Sequence, residues 1–290
     1  MTTPIDRRVP LQSAPNLRDL GGLAAGDGTV RSGVIYRSAT LARLGGDDLV
    51  AFGRLGIGTV YDLRTAAERA DAPDILPDGV RSVGLDVLAD STTDVAASVG
   101  QLASDPAGLA ASLSDGRGVA LMRESYRNIV SLPSALAAYR AFYLDLIDGD
   151  RAGAALFHCT TGKDRTGWAA ASLLLLLGVD PDDVLVDYLE TNADLLPALA
   201  PVLDAAAAHG VDRELLLPVL GVRGEYLDAA LDEMRSRFGD IEGYARDGLG
   251  LTTEQLDALR ARFVDEEPDT VNAGRGPLKL CPTGRGPGVE

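Results

Sequence analysis

The fold is decided by residues 154–177, which read AALFHCTTGKDRTGWAAASLLLLL. The first four residues, 154–157, are apolar and predict a short buried strand. Residues 168–177 are apolar nearly all round, which predicts a buried helix. The polar residues between them, 158–167, connect the strand directly to the helix. The sequence therefore predicts a strand–loop–helix unit in the core of a layered α/β domain.

The loop has the composition of an anion pocket. Five residues separate Cys159 from Arg165, and a loop of this length can curl so that several backbone N–H groups point at one centre. The following helix adds its unpaired N-terminal amides and the positive end of its dipole. Gly162 permits a backbone conformation that is closed to most residues. We expect a bowl that fits a phosphate dianion. The predicted substrate-binding positions in this loop are Thr160, Thr161, Gly162 and Lys163.

The side chains of the loop predict nucleophilic catalysis. A free thiol has a pKa of about 8.5, but amides, a helix dipole and cations lower it and produce the reactive thiolate. We therefore predict Cys159 as the nucleophile. Arg165 can bind two phosphate oxygens through its planar fork, and Thr166 could donate a hydrogen bond to the sulfur. His158 is expected to orient the loop through its ring N–H.

A leaving alkoxide or phenoxide needs a proton, and an aspartic acid is the natural donor. The sequence offers three candidates. Asp86 and Asp90 follow the strand predicted at 81–85, and Asp164 lies in the loop itself. Asp164 could instead be a structural carboxylate that faces Lys163 or a loop amide, so the donor stays open at this point.

The rest of the chain predicts an α/β fold with a central, mainly parallel sheet flanked by helices. Apolar runs predict strands at 34–36, after the turn at 56–58, and at 81–85, and helical spacing appears at 47–55, 131–147, 182–195, 223–238 and 252–263. Residues 90–118 show no firm period and are interpreted as short helices and loops. We assign residues 1–265 to one domain and predict a poorly ordered tail at 266–290, which is rich in Gly and Pro.

Composition excludes several functions. The formal net charge is −16 and the pI about 4.5, which argues against nucleic-acid binding and against adsorption to an anionic membrane. The two cysteines, Cys159 and Cys281, are too few for a fold stabilised by disulfide bonds. The two histidines do not belong to a cluster of metal-ligating residues, so we predict no metal and no other cofactor. No signal core or membrane-spanning run is visible. We expect a cytoplasmic protein, or one exported without a recognisable signal peptide, and leave its oligomeric state open.

Several motifs in order along the chain resemble those of the protein-tyrosine phosphatase superfamily, more narrowly its bacterial branch with a Lys-Asp pair in the loop. Besides residues 158–167, the matching motifs are Asn16-Leu17-Arg18-Asp19-Leu20-Gly21-Gly22, Tyr36-Arg37-Ser38-Ala39, Asp62-Leu63-Arg64-Thr65 and Gly221-Val222-Arg223-Gly224-Glu225-Tyr226-Leu227. The resemblance covers about residues 10 to 265. It implies hydrolysis of phosphotyrosine through a phosphocysteine intermediate without metal, with phosphoserine, phosphothreonine and phosphoinositides as further substrates.

The resemblance also implies roles for particular residues. Lys163 would meet a second phosphate, as in a phosphoinositide, or would be a solvated lysine that tunes the local field. Residues 195–220 would form a mobile helical lid, or ordinary packed helices. Arg64 would flank the phosphate pocket, or pair with Glu68 one helical turn on.

Arg18 and Arg37 lie in the same family-like motifs, near predicted strand ends. A position beside the phosphate would give them a role in binding. We expect instead that they pair with buried carboxylates such as Asp19 or Asp62.

Two other functions stay open from the residues alone. Sulfur transfer and arsenate reduction also use a cysteine in an anion loop, although Cys281 in the predicted tail is a poor resolving thiol. A non-catalytic phosphate-binding module would not need the intact pair of Cys159 and Arg165. The partner expected in the leading interpretation is a phosphorylated protein or a phosphoinositide.

Overall fold

The computed structural model describes residues 6–91 and 105–266. A five-stranded sheet in the order β1-β4-β7-β5-β6 lies at its centre, and β2, β3 and β8 form a small antiparallel sheet beside it. The strands are β1 (Arg18–Asp19), β2 (Ala24–Ala25), β3 (Gly28–Val30), β4 (Ile35–Ser38), β5 (Ile57–Asp62), β6 (Arg81–Gly84), β7 (Ala154–His158) and β8 (Val264–Glu266). In the central sheet only β1 runs antiparallel to its neighbour, which confirms the predicted mainly parallel sheet.

Helices cover both faces of the sheet. They are α1 (Gly46–Gly53), α2 (Ala66–Asp71), α3 (Pro106–Leu113), α4 (Arg117–Ser131), α5 (Pro133–Ile147), α6 (Arg165–Leu177), α7 (Pro181–Ala208), α8 (Arg213–Leu220), α9 (Gly224–Phe238), α10 (Ile241–Gly243), a π-helical turn (Tyr244–Gly248) and α11 (Thr253–Phe263). None of the described helices is long and apolar enough to cross a membrane.

The central strand β7 is apolar without alternation because both of its faces are covered. Ala155 and Phe157 point into the larger core, which α4 to α9 and α11 complete. Ala154 and Leu156 point into a smaller core with Phe52 of α1. Successive side chains of a strand face opposite sides, so this one strand anchors both layers. Its carboxyl end is consequently held in place from both faces.

The helix predicted at 182–195 is longer in the structure. It begins at Pro181, where the Asp180 side chain accepts a hydrogen bond from a first-turn N–H, and continues through Pro197 and Pro201 to Ala208. Proline costs a helix a hydrogen bond, but its φ angle is compatible with helix. The predicted lid, 195–220, is thus the second half of α7 together with α8, and its movement stays a prediction.

Helix α4 was absent from the sequence-based assignment, although it carries one polar and one apolar face. Its buried residues include Met122, Tyr126 and Ile129, and it packs on α9. The structure describes nothing of residues 92–104, which belong to the region interpreted as short helices and loops. The predicted tail also lies outside the described residues, except for Glu266, which pairs with Gly28.

Candidate active site

Cys159 follows the central strand directly and is only 1% exposed. The loop after it is tied to the neighbouring strands on both sides. The Leu63 N–H donates to the His158 carbonyl over 2.8 Å, and the Thr40 N–H donates to the Thr160 carbonyl over 3.1 Å. The nucleophile candidate therefore lies at the carboxyl edge of a parallel sheet, where α/β proteins bind ligands.

The middle of the loop turns at Gly162, whose φ is +70°. A Cβ at this position would lie 2.3 Å from the Ser38 carbonyl oxygen, so no larger residue fits. The Gly162 carbonyl accepts hydrogen bonds from Asn16 Nδ2 at 2.9 Å and Arg37 Nη2 at 2.8 Å. A trans peptide points its C=O and N–H in opposite directions, so the next N–H, that of Lys163, faces away from these two donors.

A buried carboxylate on α7 holds the arginines beneath the loop. Asp187 binds Arg18 over 3.1 Å and Arg37 over 3.0 Å, and all three side chains are at most 1% exposed. Burial alone would raise the pKa of Asp187, but the adjacent guanidinium charges lower it well below its usual range. The predicted pairing with a buried carboxylate is confirmed, although the partner is Asp187 rather than Asp19 or Asp62.

Arg165, in the first turn of α6, is held by Glu68 of α2. Its Nη1 and Nη2 donate to the two carboxylate oxygens over 2.6 and 2.9 Å. The Thr160 hydroxyl donates to the same carboxylate. Burial raises the pKa of Glu68, but the hydrogen bonds and charge of Arg165 outweigh it and lower the pKa to about 2. Arg165 is thus fixed along one edge of its guanidinium group.

Of the two alternatives left open for Arg64, pairing with Glu68 is not formed, because Glu68 binds Arg165 instead. A local signal for its position existed. Thr65 and Glu68 form a capping box, in which Thr65 N donates to Glu68 over 2.8 Å and Glu68 N donates to the Thr65 hydroxyl over 3.2 Å. Such a box fixes a helix start, and here it also aims the carboxylate at Arg165.

Arg64 is buried and lies behind the loop rather than in it. It binds Asp62 over 2.6 Å and Asp74 over 3.0 Å, and Asp74 in turn accepts from His158 Nε2 over 2.8 Å. The other ring nitrogen of His158 lies 3.1 Å from the Cys159 carbonyl, as expected for a ring that orients the loop. Arg64 is therefore linked to the loop through Asp74 and His158 and, by a 3.0 Å hydrogen bond from Nη1, through the Thr40 hydroxyl. No described hydrogen bond joins its side chain directly to a residue of the loop.

The same carboxylates and His158 offer ligand atoms within 4.8 Å of one another, a spacing that could hold a metal ion. Arg64 Nη2 already binds both Asp62 and Asp74. A guanidinium cation balances the two carboxylates, so ion pairing accounts for this cluster.

Lys163 and Asp164 lie side by side at the end of the loop, with Nζ 3.2 Å from Asp164 Oδ2. Asp164 Oδ1 accepts a hydrogen bond from the Tyr126 hydroxyl over 2.8 Å. Lys163 also donates to the carbonyl oxygens of Val219 over 2.8 Å and Gly221 over 3.4 Å, and is 3% exposed. The interpretation of Lys163 as a solvated lysine is therefore wrong.

Sequence comparison decides the family. The tyrosine phosphatase family matches residues 9–265. The chain belongs to this family. It is therefore a phosphatase, a hydrolase of phosphoric monoesters, and the resemblance read from the ordered motifs is confirmed.

Three relatives illustrate the similarity. An inferred tyrosine-protein phosphatase of Cupriavidus necator is 35% identical over 243 residues, 83% of this chain and 84% of the relative. The triple specificity protein phosphatase PtpB of Mycobacterium tuberculosis is 30% identical over 276 residues, 86% of this chain and 96% of PtpB. A tyrosine-protein phosphatase of Nostoc commune is 31% identical over 237 residues, 78% of this chain and 73% of the relative.

Among the three acid candidates of this phosphatase, only Asp164 has its carboxylate in the loop. Asp86 accepts from the N–H groups of Ala66 and Leu88 over 2.9 and 3.1 Å. Asp90 accepts from the N–H and hydroxyl of Ser134. Both therefore cap neighbouring segments, and neither has a described hydrogen bond to the loop.

The threonines of the phosphatase loop differ in environment. Thr160 is exposed and Thr161 half-buried, which places them at the rim. Thr166 is fully buried, and its hydroxyl oxygen has no hydrogen-bond partner among the described residues. The predicted hydrogen bond from Thr166 to the sulfur is therefore not formed in this structure. Cys281 lies outside the described residues.

Proposed function

We propose that this phosphatase hydrolyses phosphotyrosine in proteins through a phosphocysteine intermediate on Cys159. In the first step the thiolate attacks phosphorus, and the S–P bond forms as the bond to the tyrosine oxygen breaks. Arg165 and the loop N–H groups hold the three non-bridging oxygens, whose charge they stabilise as the phosphoryl group flattens. Asp164 gives a proton to the departing phenoxide.

In the second step water attacks the phosphocysteine. Asp164, now a carboxylate, takes a proton from that water, and the S–P bond breaks to return the thiolate. Thr166 is the proposed hydrogen-bond donor to the leaving sulfur. A buried hydroxyl without a partner is costly, and donation to a developing thiolate would remove that cost while the intermediate breaks down.

The observation that carries this proposal is the placement of Arg165. Its guanidinium group is fixed by Glu68 through Nη1 and Nη2, which also make long contacts of 3.5 Å with the Leu63 carbonyl and the Thr160 hydroxyl. Nε donates to no described residue. A guanidinium fork held along one edge can still present the other edge to phosphate oxygens. Arg165 is the first residue of the helix that directly follows the Cys159 loop. The nucleophile and the guanidinium group that would bind the phosphate therefore belong to one rigid unit.

The depth of the site favours an aryl phosphate. Cys159 is almost fully buried, and a phosphate on a long tyrosine side chain reaches such a nucleophile more readily than one on a short serine. Phosphoserine and phosphothreonine are second candidates, supported by similarity to a relative named for triple specificity. A phosphoinositide would draw on Lys163, whose ammonium would first have to leave the carbonyls of Val219 and Gly221.

The test compares a phosphotyrosine peptide, a phosphoserine peptide of the same sequence and phosphoinositide vesicles, in buffer containing a chelator. Cys159→Ser is the control. We expect the fastest phosphate release from the phosphotyrosine peptide and none from the variant. Faster release from phosphoinositides would reverse the substrate order. Tight phosphopeptide binding with no hydrolysis by the wild type would support a non-catalytic binding module instead.

A further inference from the structure

Asp164 is held at both of its oxygens. Oδ1 accepts from the Tyr126 hydroxyl over 2.8 Å, and Oδ2 lies 3.2 Å from Lys163 Nζ. The carboxylate does not cap its own helix, although Asp164 is the residue that precedes α6. Its orientation is therefore set by contacts from outside the helix, chiefly by a tyrosine on α4.

A second tyrosine fixes the direction of the Tyr126 hydroxyl. The Tyr188 hydroxyl on α7 donates to the Tyr126 oxygen over 2.6 Å. Because the Tyr126 oxygen accepts the Tyr188 proton on one side, its own proton points at Asp164. The pair thus forms a one-directional chain in which each hydroxyl donates to the next group, ending at Asp164 Oδ1.

The two tyrosines are rigid parts of the core. Tyr126 is fully buried and Tyr188 1% exposed, and their rings meet edge to face with centroids 6.1 Å apart. Burial, then the nearby negative charge of Asp164, raises the pKa of Tyr126 well above its usual value, so its hydroxyl keeps the proton that it donates. Gly167 makes room for this pair, since a Cβ there would lie 3.1 Å from the Tyr188 ring.

We propose that Tyr126, oriented by Tyr188, is a positioning residue that holds Asp164 by Oδ1 while Oδ2 transfers the proton. Lys163 Nζ, 3.2 Å from Oδ2, then keeps its hydrogen bonds to the carbonyl oxygens of Val219 and Gly221. This inference rests on the proposed function. When the tyrosyl C–O–P bond breaks, the proton passes from Oδ2 to the phenoxide oxygen, and Oδ2 later recovers a proton from the attacking water. Oδ1 stays bound to Tyr126 throughout, so the carboxyl group does not rotate between the two steps.

The test uses Tyr126→Phe, which removes one hydroxyl and keeps the ring in the core. Its effect should depend on the leaving group. Phenolate, with a pKa near the tyrosine value of about 10, needs the proton, whereas para-nitrophenolate leaves readily without it. We expect kcat/KM for phenyl phosphate to fall on the order of 10- to 100-fold, part of the usual contribution of a general acid, with little change for para-nitrophenyl phosphate.

Tyr143→Phe is the matched control. It also removes a buried hydroxyl with a 2.8 Å hydrogen bond, in this case to Ser172, and should leave both substrates unaffected. Tyr188→Phe should show a smaller loss than Tyr126→Phe with the same leaving-group dependence. In an Asp164→Asn background, Tyr126→Phe should cause no further loss, because the group that it positions no longer transfers a proton.

Other outcomes separate this inference from the proposed function. Equal losses for both substrates, or an unchanged rate with phenyl phosphate, would show that Tyr126 does not position the acid. A further loss in the Asp164→Asn background would do the same. Unchanged phenyl phosphate turnover in Asp164→Asn alone would remove Asp164 as the acid, and this inference with it. A wild type that hydrolyses neither substrate would contradict the proposed function itself.

Discussion

Replacing Glu68 with glutamine tests how Arg165 is presented. The change keeps the shape of the side chain but removes the charge that both guanidinium Nη atoms contact. The pKa of Glu68 falls from 4.5 to about 2 because the hydrogen bonds and charge of Arg165, with smaller contributions from the hydrogen bonds of Thr160 and Thr65, outweigh burial. This corresponds to about 3 kcal/mol in favour of the carboxylate. The side chain is 18% exposed, so little of that interaction is lost to solvent screening.

The amide of Glu68→Gln retains one acceptor oxygen, so we expect only part of this interaction to be lost. A loss of about 1.5 to 3 kcal/mol at the transition state lowers kcat about 10- to 100-fold. KM should change little, because a freed Arg165 can still attract a phosphate dianion but no longer holds the geometry of the flattened phosphoryl group. Steady-state kinetics with para-nitrophenyl phosphate give both constants.

Asp145→Asn is the matched control for Glu68→Gln. It also neutralises a carboxylate that binds an arginine, Arg81, and a hydroxyl, that of Tyr61. These partners belong to β6 and β5, and kcat should stay at the wild-type value. A folded Glu68→Gln protein with wild-type kcat would refute the reasoning that Glu68 positions Arg165.

Three further predictions follow from the contacts of the loop. Asn16→Ala removes one of the two donors to the Gly162 carbonyl; we expect KM to rise about tenfold as the loss of roughly one hydrogen bond, measured with para-nitrophenyl phosphate. Gly162→Ala combines a φ of +70° with a 2.3 Å approach to the Ser38 carbonyl; activity should be lost, and retained activity would contradict the described turn. The lowered pKa of Glu68 adds stability that is complete above about pH 4.5 and is lost as the pH falls towards about 2. Urea unfolding should therefore give a lower free energy of unfolding at about pH 3 than at about pH 6 in the wild type, and a smaller difference in Glu68→Gln.

The strand–loop–helix unit could be predicted from sequence because its signals are local. Apolar residues at 154–157 and 168–177 flank a polar loop, and the structure places β7 and α6 there. The anion pocket was also predicted from this stretch. The groups that would bind the anion are backbone N–H groups of the loop and of the helix start, so the prediction does not depend on residues that are distant in the sequence.

The partners of the arginines could not be read in the same way. Arg165 meets Glu68, which lies 97 positions away, and Arg37 meets Asp187, which lies 150 positions away. With 43 acidic residues in the chain, charge alone does not select one partner. The selection depends on which helices the sheet topology brings to its carboxyl edge.

The helix predicted at 182–195 continues to Ala208 in the structure, through Pro197 and Pro201. Pro197 and Pro201 are usual stop signals, but a helix can continue when packing outweighs the lost hydrogen bonds. Leu203 and Ala206, beyond both prolines, are buried in the larger core. That burial supports the second half of the helix, and it depends on tertiary contacts that no local pattern contains.

The central claim is that Cys159 carries the phosphoryl group during turnover. The most direct measurement is acid quenching of the enzyme during hydrolysis of para-nitrophenyl phosphate, followed by peptide mapping with mass spectrometry. Asp164→Asn should slow breakdown of the intermediate and raise its yield. We predict one phosphate on the peptide that contains Cys159, and none in Cys159→Ser. Phosphate on a different residue, or turnover that persists in Cys159→Ser, would contradict the account.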